Sequence, residues 1–380
     1  MAGSQDHSKA CFFFAGGGTA GHVNPALSVA TALKELEPQA QIKFLVTAEG
    51  LEKDLVREAG YESLEIKAAP LSKKPQAWPS FLSRNWQGYQ KARQALIESD
   101  ARVALGTGGF VSVPLIVAAN RAGVPSILHE QNALPGKSNR FLARYSDRVA
   151  LSFPGTESYF KARPGLEFSF TGNPVKSAFY QNDRKTARAR LGIGQDERLV
   201  VVIGGSLGAK SLNEAVQGLP ASPHWSQFLS EQPEVKIVLS AGKVNKRFIR
   251  EELSCPRIQI QDYLDTGLWL PAADLLIGRA SGGFLAEAAV VGLPSILVPF
   301  PQAANDHQSY NAGVFVQAGA SLLLTDDELN SDLLLKLLRQ LLSDPARLAT
   351  MGRAASRLGR KDAAMAIARL MLELDREKRG

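Results

Sequence analysis

The chain has 380 residues, of which 45% are hydrophobic, and a formal net charge of +7. This length exceeds that of one ordinary hydrophobic core and predicts two domains. The basic balance favours anionic partners such as nucleic acid, phosphorylated ligands or an anionic membrane, although a solvated basic surface would give the same charge.

The two cysteines, Cys11 and Cys255, lie far apart and show no metal-ligand spacing. A disulfide framework is therefore not expected, and a reducing cytoplasm fits the composition. The first ten residues are polar and lack the apolar core of a secretion signal. Because no run of about 18 apolar residues occurs, the sequence predicts no membrane-spanning segment.

Short apolar runs alternate with helical patterns, which predicts parallel sheets with helices on both faces. The first set of predicted strands is 11–14, 42–46, 102–105, 126–128 and 149–152, with helices at 25–36 and 113–122. The pattern restarts with predicted strands at 199–203, 235–239, 257–260, 275–277, 295–298 and 321–324. Two successive doubly wound α/β units are the economical interpretation.

A strong turn signal, Gly172-Asn173-Pro174, separates the two sets of strands, and a charged helical pattern follows it at 183–191. We therefore predict an N-terminal domain over 1–173 and a second domain over 174–355. The charge-laced residues 356–380 are predicted as a C-terminal helix.

Glycine-rich loops follow three of the predicted strands, at 16–21, 204–209 and 279–283. Glycines let the backbone approach a ligand closely, and the amides of the following helix attract anions. One such loop is also an ordinary tight turn, but several on two sheets favour a nucleotide-type ligand. Residues 16–21 satisfy Gly-x-Gly-x-x-Gly, yet no acidic residue ends the next strand. Nearby Glu49 keeps a dehydrogenase as a rival.

Motifs across most of the chain resemble those of the MurG family, which transfers N-acetylglucosamine from UDP-N-acetylglucosamine to lipid I in peptidoglycan synthesis. They are Gly17 to His22, Gly106 to Pro114, His129-Glu130-Gln131-Asn132, Gly136 with Asn139-Arg140, Gly172 to Val175, Gly204 to Ala209, Arg279 to Glu287, and Asp306-His307-Gln308. The order and combination of the motifs carry the resemblance, since any one of them alone is unspecific.

The resemblance implies a GT-B fold, in which two Rossmann-like domains surround a cleft and the C-terminal helix crosses back to the first domain. It implies inverting transfer to the 4-hydroxyl of the N-acetylmuramyl sugar of lipid I, giving lipid II. The donor nucleotide is expected mainly on the C-terminal domain and the lipid acceptor mainly on the N-terminal one. The expected location is the cytoplasmic face of the plasma membrane, with no nucleic acid as partner.

The sequence departs from the family pattern at four places. Ala20 stands where glycine is usual, and Lys176 stands where arginine is usual, which removes a planar fork for bidentate contacts. The segment 281–284 replaces the family's Gly-Ala-Ser/Leu-Thr, so that Phe284 brings no hydroxyl. The segment 262–265 is a looser version of the family's uracil-side segment.

Two residues are predicted to be catalytic. His22 is the candidate base, because an imidazole suits proton removal at neutral pH; the alternative is a histidine that only hydrogen-bonds substrate or backbone. Glu287 is expected to accept hydrogen bonds from the ribose hydroxyls, with a solvated helix glutamate as the alternative. The chain has no Asp-x-Asp triplet, so we expect no metal or other cofactor. Helix termini and cationic side chains are expected to stabilise the leaving group in place of a metal.

Further residues are expected to contact substrate. Gln308 and Asn132 suit sugar hydroxyls, because an amide both donates and accepts, and loop ordering is their alternative. Gly205, Ser206 and Leu207 are expected at the pyrophosphate. The other predicted contacts are Leu264 through its backbone to uracil, Glu130 and Lys176 near phosphates, and Gly18, Thr19, Ala20, Gly21, Gly282, Gly283 and His307.

Residues 71–93 combine aromatic and apolar side chains at helical spacing with flanking cations. The apolar members are Trp78, Phe81, Leu82, Trp86 and Tyr89, and the cations are Lys73, Lys74, Arg84, Lys91 and Arg93. This composition suits an anionic bilayer surface, whereas the alternative is a core-facing amphipathic helix.

Besides the dehydrogenase, three rival functions remain at this stage. A glycolipid synthase would differ in its acceptor, and a UDP-N-acetylglucosamine epimerase would need no acceptor. A non-catalytic nucleotide-sugar-binding scaffold at the membrane would bind the donor without turnover. His22, Glu287 and Gln308 together favour an enzyme.

Overall fold

The computed structural model describes residues 10–71, 74–161, 163–250 and 255–379. The chain forms two compact units. The N-terminal unit comprises Met1–Val175 and Asp362–Gly380, and the C-terminal unit comprises Lys176–Lys361. The final segment of the chain thus belongs to the unit in which the chain begins.

The N-terminal unit is built on a seven-stranded parallel sheet with strand order β3-β2-β1-β4-β5-β6-β7. Its strands are β1 Cys11–Ala15, β2 Gln41–Val46, β3 Glu62–Glu65, β4 Ala101–Gly106, β5 Ser126–Glu130, β6 Arg148–Leu151 and β7 Glu167–Phe170. Its helices are α1 Ala20–Leu36, α2 Leu51–Glu58, α3 Trp78–Glu98, α4 Ser112–Ala122, α5 Lys137–Leu142 and, from the end of the chain, α15 Ala363–Arg379.

The C-terminal unit has a six-stranded parallel sheet with strand order β10-β9-β8-β11-β12-β13. Its strands are β8 Arg198–Ile203, β9 Val235–Ser240, β10 Ile258–Gln261, β11 Leu275–Gly278, β12 Ser295–Leu297 and β13 Ser321–Leu323. Its helices are α6 Ala178–Gln181, α7 Arg184–Leu191, α8 Lys210–Gln217, α9 Trp225–Glu231, α10 Thr266–Ala272, α11 Gly282–Val291, α12 His307–Gln317, α13 Ser331–Leu342 and α14 Pro345–Leu358.

The central strand β1 shows why both faces of the sheet are covered. Its sequence, Cys-Phe-Phe-Phe-Ala, is buried along its whole length. Phe12 and Phe14 pack in a cluster with residues of α1 and α15, whereas Phe13 packs in another with residues of α3 and α4. Apolar side chains on alternate faces therefore hold a helical layer on each side.

The prediction of two doubly wound α/β units is confirmed, and every predicted strand is present. Strands β3 and β7, the two edge strands of the first sheet, were not predicted from the sequence. Edge strands face water on one side, and the residues of both are mostly exposed or half-buried. They consequently lack the continuous apolar run that marks a central parallel strand.

Two predicted helix boundaries are wrong. The helix expected at 25–36 begins at Ala20, because the Thr19 carbonyl already accepts from the amides of His22 and Val23. The single helix expected over 356–380 is interrupted after Leu358. A Cβ on Gly359 would lie 2.6 Å from the Ala289 carbonyl oxygen, so the chain passes close to α11 there instead of continuing as a helix.

Helix α15 is held to the N-terminal unit by apolar packing and ion pairs. Its Ile367, Met371 and Leu374 belong to the same buried cluster as Phe12 and Phe14. Arg148 at the start of β6 pairs with Glu377 at 2.7 Å and Glu373 at 3.3 Å. Among the described residues, no helix is both long enough and apolar enough to cross a bilayer.

We predict that Met371→Ala lowers the free energy of unfolding by about 2–5 kcal/mol, because it opens a cavity in a fully buried site. A urea titration followed by circular dichroism measures the change. The control is Arg369→Ala, on the same helix but exposed, for which we expect a change within about 0.5 kcal/mol. Equal effects of the two substitutions would contradict the anchoring role of α15.

Candidate active site

In each sheet the strand order reverses at one point, between β1 and β4 in the first and between β8 and β11 in the second. Open parallel sheets bind ligands beyond the carboxyl ends of their strands at such a switch point. The three glycine-rich loops follow β1, β8 and β11, so each adjoins a switch point.

In the N-terminal unit, the loop after β1 packs against the loop after β4. The amide of Gly17 donates to the Gly108 carbonyl at 3.4 Å. Gly109 has φ +76°, and a Cβ there would lie 2.1 Å from the Gly17 carbonyl oxygen. Backbone therefore contacts backbone, which only glycine allows at this position.

His22 lies in the first turn of α1, with its ring beside this loop. Its Nδ1 lies 3.1 Å from the Gly17 carbonyl oxygen and 3.2 Å from Thr19 Oγ1. Since a carbonyl oxygen can only accept, Nδ1 carries the hydrogen, and Nε2 is the basic nitrogen of the neutral ring. A Cβ on Gly108 would lie 3.3 Å from Nε2, so the basic edge faces the second loop.

Three of the other predicted residues in this loop, Gly18, Thr19 and Gly21, are exposed, and Ala20 is half-buried. The Gly18 amide donates to Glu52 Oε2 at 3.5 Å. The other oxygen of this fully buried carboxylate accepts from the amide and hydroxyl of Thr47. Glu52 thus links the loop after β1 to the loop after β2, and no sequence motif indicates that role.

Glu130, at the end of β5, orders its own loop. Oε1 accepts from the amide and side chain of Asn132, and Oε2 accepts from the Gly136 amide and Asn139 Nδ2, at 2.9–3.2 Å. Burial raises the pKa of Glu130, and these hydrogen bonds oppose the shift. The bonds to half-buried Asn132 hold it within the loop, as in the loop-ordering alternative for Asn132.

A second buried group links the carboxyl ends of four strands, and the sequence analysis assigned it no role. Gln131 Nε2 donates to the Thr107 carbonyl at 2.6 Å and to His129 Nδ1 at 2.9 Å. His129 Nε2 donates to the Gly172 carbonyl at 3.2 Å and lies 3.2 Å from Ser152 Oγ. Burial lowers the pKa of His129 to about 4, so its ring is neutral at pH 7 and positions the loops.

In the C-terminal unit, the loop after β8 exposes Gly205, Ser206 and Leu207. A Cβ on Gly208, which has φ +79°, would lie 1.9 Å from the Ala241 carbonyl oxygen. The loop is thereby pressed onto the end of β9. Its backbone amides are presented just before α8 begins at Lys210, as expected of an anion-binding loop.

The loop after β11 is fixed by Gln308 of α12. Gln308 is buried, and its Oε1 accepts from the amides of Ala280 and Phe300, both at 3.0 Å. The amide nitrogen Nε2 is therefore the group that can donate to a sugar hydroxyl. Gly282 and Gly283 begin α11, whose N-cap Ser281 makes no side-chain capping bond.

His307 begins α12, and its Nδ1 donates to the Ala304 carbonyl at 2.8 Å. The two residues before it, Asn305 and Asp306, have φ +55° and +57°. Left-handed backbone in consecutive non-glycine residues is uncommon and occurs most often at functional sites. The strained turn adjoins Gln308.

Glu287 lies on α11 and is half-buried, and the positive charge of exposed Lys176 acts on it. Burial raises the pKa of Glu287 to about 8, while Lys176 and a hydrogen bond with Thr266 act in the opposite direction. Leu264 buries its side chain just before α10, so that only its backbone can face a ligand.

Comparisons with known proteins show the family of both units. Residues 12–151 match the glycosyltransferase family 28 N-terminal domain, and residues 199–367 match the C-terminal domain. A protein of Exiguobacterium is 38% identical, covering 94% of this chain and 98% of its own length. A protein of Acetivibrio thermocellus is 34% identical, with 96% and 98% covered. Both are named UDP-N-acetylglucosamine--N-acetylmuramyl-(pentapeptide) pyrophosphoryl-undecaprenol N-acetylglucosamine transferase.

The chain belongs to the MurG family of glycosyltransferases. MurG of Acinetobacter baumannii has a similar solved structure, with a TM-score of 0.73 at 24% identity over 96% of this chain and 99% of that one. A UDP-N-acetylglucosamine 2-epimerase of Neisseria meningitidis gives a TM-score of 0.67 at 13% identity, over 96% and 100%. Both likenesses concern the fold, which is GT-B in this MurG-family chain.

The raised pKa of Glu287 predicts a pH-dependent effect of Glu287→Gln. Between pH 4.5 and about 8 the folded protein keeps a proton that the unfolded chain loses, so the wild type loses stability as pH rises through this window. We therefore expect the melting temperature of the variant, relative to that of the wild type, to increase from pH 5 to pH 8.5. Glu214→Gln, at an exposed position on α8, gives the baseline. A difference in melting temperature between variant and wild type that does not change with pH would contradict the raised pKa of Glu287.

Proposed function

We propose that this chain transfers N-acetylglucosamine from UDP-N-acetylglucosamine to the 4-hydroxyl of the N-acetylmuramyl sugar in a lipid-linked pentapeptide acceptor. The observation that carries the proposal is its identity of 34–38% to transferases of that name over nearly the whole chain. The geometry of His22 and of the two switch-point loops supports the same chemistry.

The C-terminal unit takes the donor in this proposal. The amides of Gly205, Ser206 and Leu207 meet the pyrophosphate, where the start of α8 adds the positive end of a helix dipole. The Glu287 carboxylate accepts hydrogen bonds from the ribose hydroxyls. Lys176 lies close enough to Glu287 to affect its pKa, and it adds positive charge beside the leaving group.

The N-terminal unit takes the acceptor and supplies the base. The acceptor oxygen attacks the anomeric carbon while the bond from that carbon to the UDP oxygen breaks, which inverts the configuration. The hydroxyl proton passes to His22 Nε2, and the electron pair of the broken bond leaves with UDP. The Gly17 carbonyl holds the hydrogen on Nδ1, so Nε2 is the basic nitrogen to which the proton passes.

We predict that His22→Gln lowers kcat by about 10²–10⁴-fold, since a glutamine amide cannot take the proton. The assay measures radiolabelled N-acetylglucosamine passing from UDP-N-acetylglucosamine to the lipid-linked acceptor. His224→Gln, at an exposed position of the C-terminal unit, is the matched control and keeps full activity.

The same assay separates the rival functions. Product formed only with the N-acetylmuramyl-pentapeptide acceptor supports the proposal. Transfer to diacylglycerol would support a glycolipid synthase, conversion of the donor without acceptor an epimerase, and donor binding without turnover a scaffold. A kcat of His22→Gln within about twofold of the wild type would rule out His22 as the base.

We further propose that the protein works at the cytoplasmic face of the plasma membrane, through the first half of α3. Trp78, Leu82 and Trp86 are 51%, 64% and 60% exposed there, and Phe81 is half-buried. Lys74, Arg84, Lys91 and Arg93 are exposed around them, while Lys73 lies outside the described residues. Exposed aromatics among cations fit an anionic bilayer surface.

Replacing Trp78 and Phe81 with serine is predicted to lower the fraction of protein that sediments with vesicles containing anionic lipid, because interfacial aromatic contacts are lost. Tyr159→Ser, which removes an exposed aromatic elsewhere in the N-terminal unit, is the control. Unchanged sedimentation of the double variant would contradict membrane contact through α3.

A further inference from the structure

A cluster of three side chains in the C-terminal unit joins the ends of four strands. Arg279 follows β11, Ser211 lies in the first turn of α8 after the β8 loop, and Asp326 follows β13. Arg279 Nη1 lies 2.5 Å from Asp326 Oδ1, and Arg279 Nη2 donates to Ser211 Oγ at 3.0 Å. Ser211 Oγ donates in turn to Asp326 Oδ1 at 2.7 Å. The three polar groups thus form a closed ring of contacts.

The guanidinium of Arg279 also reaches the end of β12. Nη1 donates to the carbonyls of Val298 and Pro299, both at 3.1 Å, and the guanidinium carbon lies 5.5 Å from the centre of the Phe300 ring. The Phe300 amide in turn donates to Gln308. One planar cation therefore sets the spacing of the segments that follow β8, β11, β12 and β13.

Asp326 supplies the only carboxylate with which Arg279 pairs among the described residues. The Arg279 side chain is 10% exposed and that of Asp326 is 24% exposed, so the pair is only partly screened by water. Removing the charge of Asp326 leaves a largely buried cation without its counter-ion, and the guanidinium is then free to move away from Ser211.

We propose that Asp326 is a positioning residue for the donor site. Through Arg279 and Ser211 it holds the β8 loop at the spacing from the β11 loop that a nucleotide sugar needs. This rests on the proposed function, in which these two loops take the UDP moiety. Asp326 does not itself touch substrate; it acts on the amides of the first loop through α8 and on those of the second through Arg279.

The test compares Asp326→Asn with Asp327→Asn. The second change removes the same charge from the next residue, which is exposed. We expect Asp326→Asn to raise both the Kd and the KM for UDP-N-acetylglucosamine about tenfold while the KM for the lipid-linked acceptor stays within about twofold. Asp327→Asn should behave as the wild type. Calorimetry with UDP-N-acetylglucosamine gives the Kd, and the transfer assay gives the KM values.

Ser211→Ala keeps the ion pair between Arg279 and Asp326 and removes only its link to α8. This variant therefore tests the positioning role even if Asp326→Asn does not fold. We expect it to raise the Kd for the donor about threefold with a melting temperature within about 2 °C of the wild type. Donor affinities equal to those of the wild type in Ser211→Ala and Asp326→Asn would overturn the positioning role. A wild type that does not bind UDP-N-acetylglucosamine would instead overturn the proposed function itself.

Discussion

Contact between backbone and backbone in the loops that follow β1 and β8 is the constraint on which the candidate site depends. In the N-terminal unit Gly109 presses onto the Gly17 carbonyl, and in the C-terminal unit Gly208 presses onto the Ala241 carbonyl. A methyl group at either position would overlap a carbonyl oxygen, so the loops could not keep this spacing. The first contact orients the carbonyl that fixes the tautomer of His22, and the second presents the amides before α8.

Carboxylates hold the loops whose spacing the glycines allow. Glu52 binds the loops after β1 and β2, Glu130 orders the loop after β5, and Asp326 acts through Arg279 on the segments after four strands. The oxygens of these carboxylates accept hydrogen bonds from protein donors. Glu287 differs, because a single hydrogen bond, with Thr266, opposes the burial that raises its pKa to about 8, whereas four hydrogen bonds oppose the raised pKa of Glu130. A ribose could supply the hydrogen bonds that favour its ionised form.

The sequence predicted the features that follow from local pattern. The apolar runs of β1 and β8 are buried on both faces, and they were readable as central strands together with their glycine loops. The edge strands β3 and β7 were not predicted, because half-exposed strands have no continuous apolar run. The start of α1 was missed because Pro25 suggested a first helical position, whereas the helix already begins five residues earlier at Ala20 and includes Pro25.

The candidate site was predictable only in part. The resemblance indicated His22, Glu287 and Gln308 by motif, but it could not show that Gln308 gives its oxygen to two backbone amides. Glu52 and Asp326 lie in none of the motifs, and the motif that contains Gln131 indicated no role for it. Their roles arise from contacts between residues that lie 24 to 115 positions apart in the chain. Such long-range hydrogen bonds have no local signature in a single sequence.

The proposed function requires that a uridine diphosphate sugar is bound by the backbone amides of the loop before α8 and by Glu287. Diffraction from crystals soaked with UDP-N-acetylglucosamine tests it most directly. We expect the pyrophosphate within hydrogen-bonding distance of the Ser206 amide and the ribose hydroxyls within hydrogen-bonding distance of the Glu287 carboxylate. Nucleotide density away from both residues would contradict this binding mode, and so would a loop after β8 that stays empty at saturating ligand.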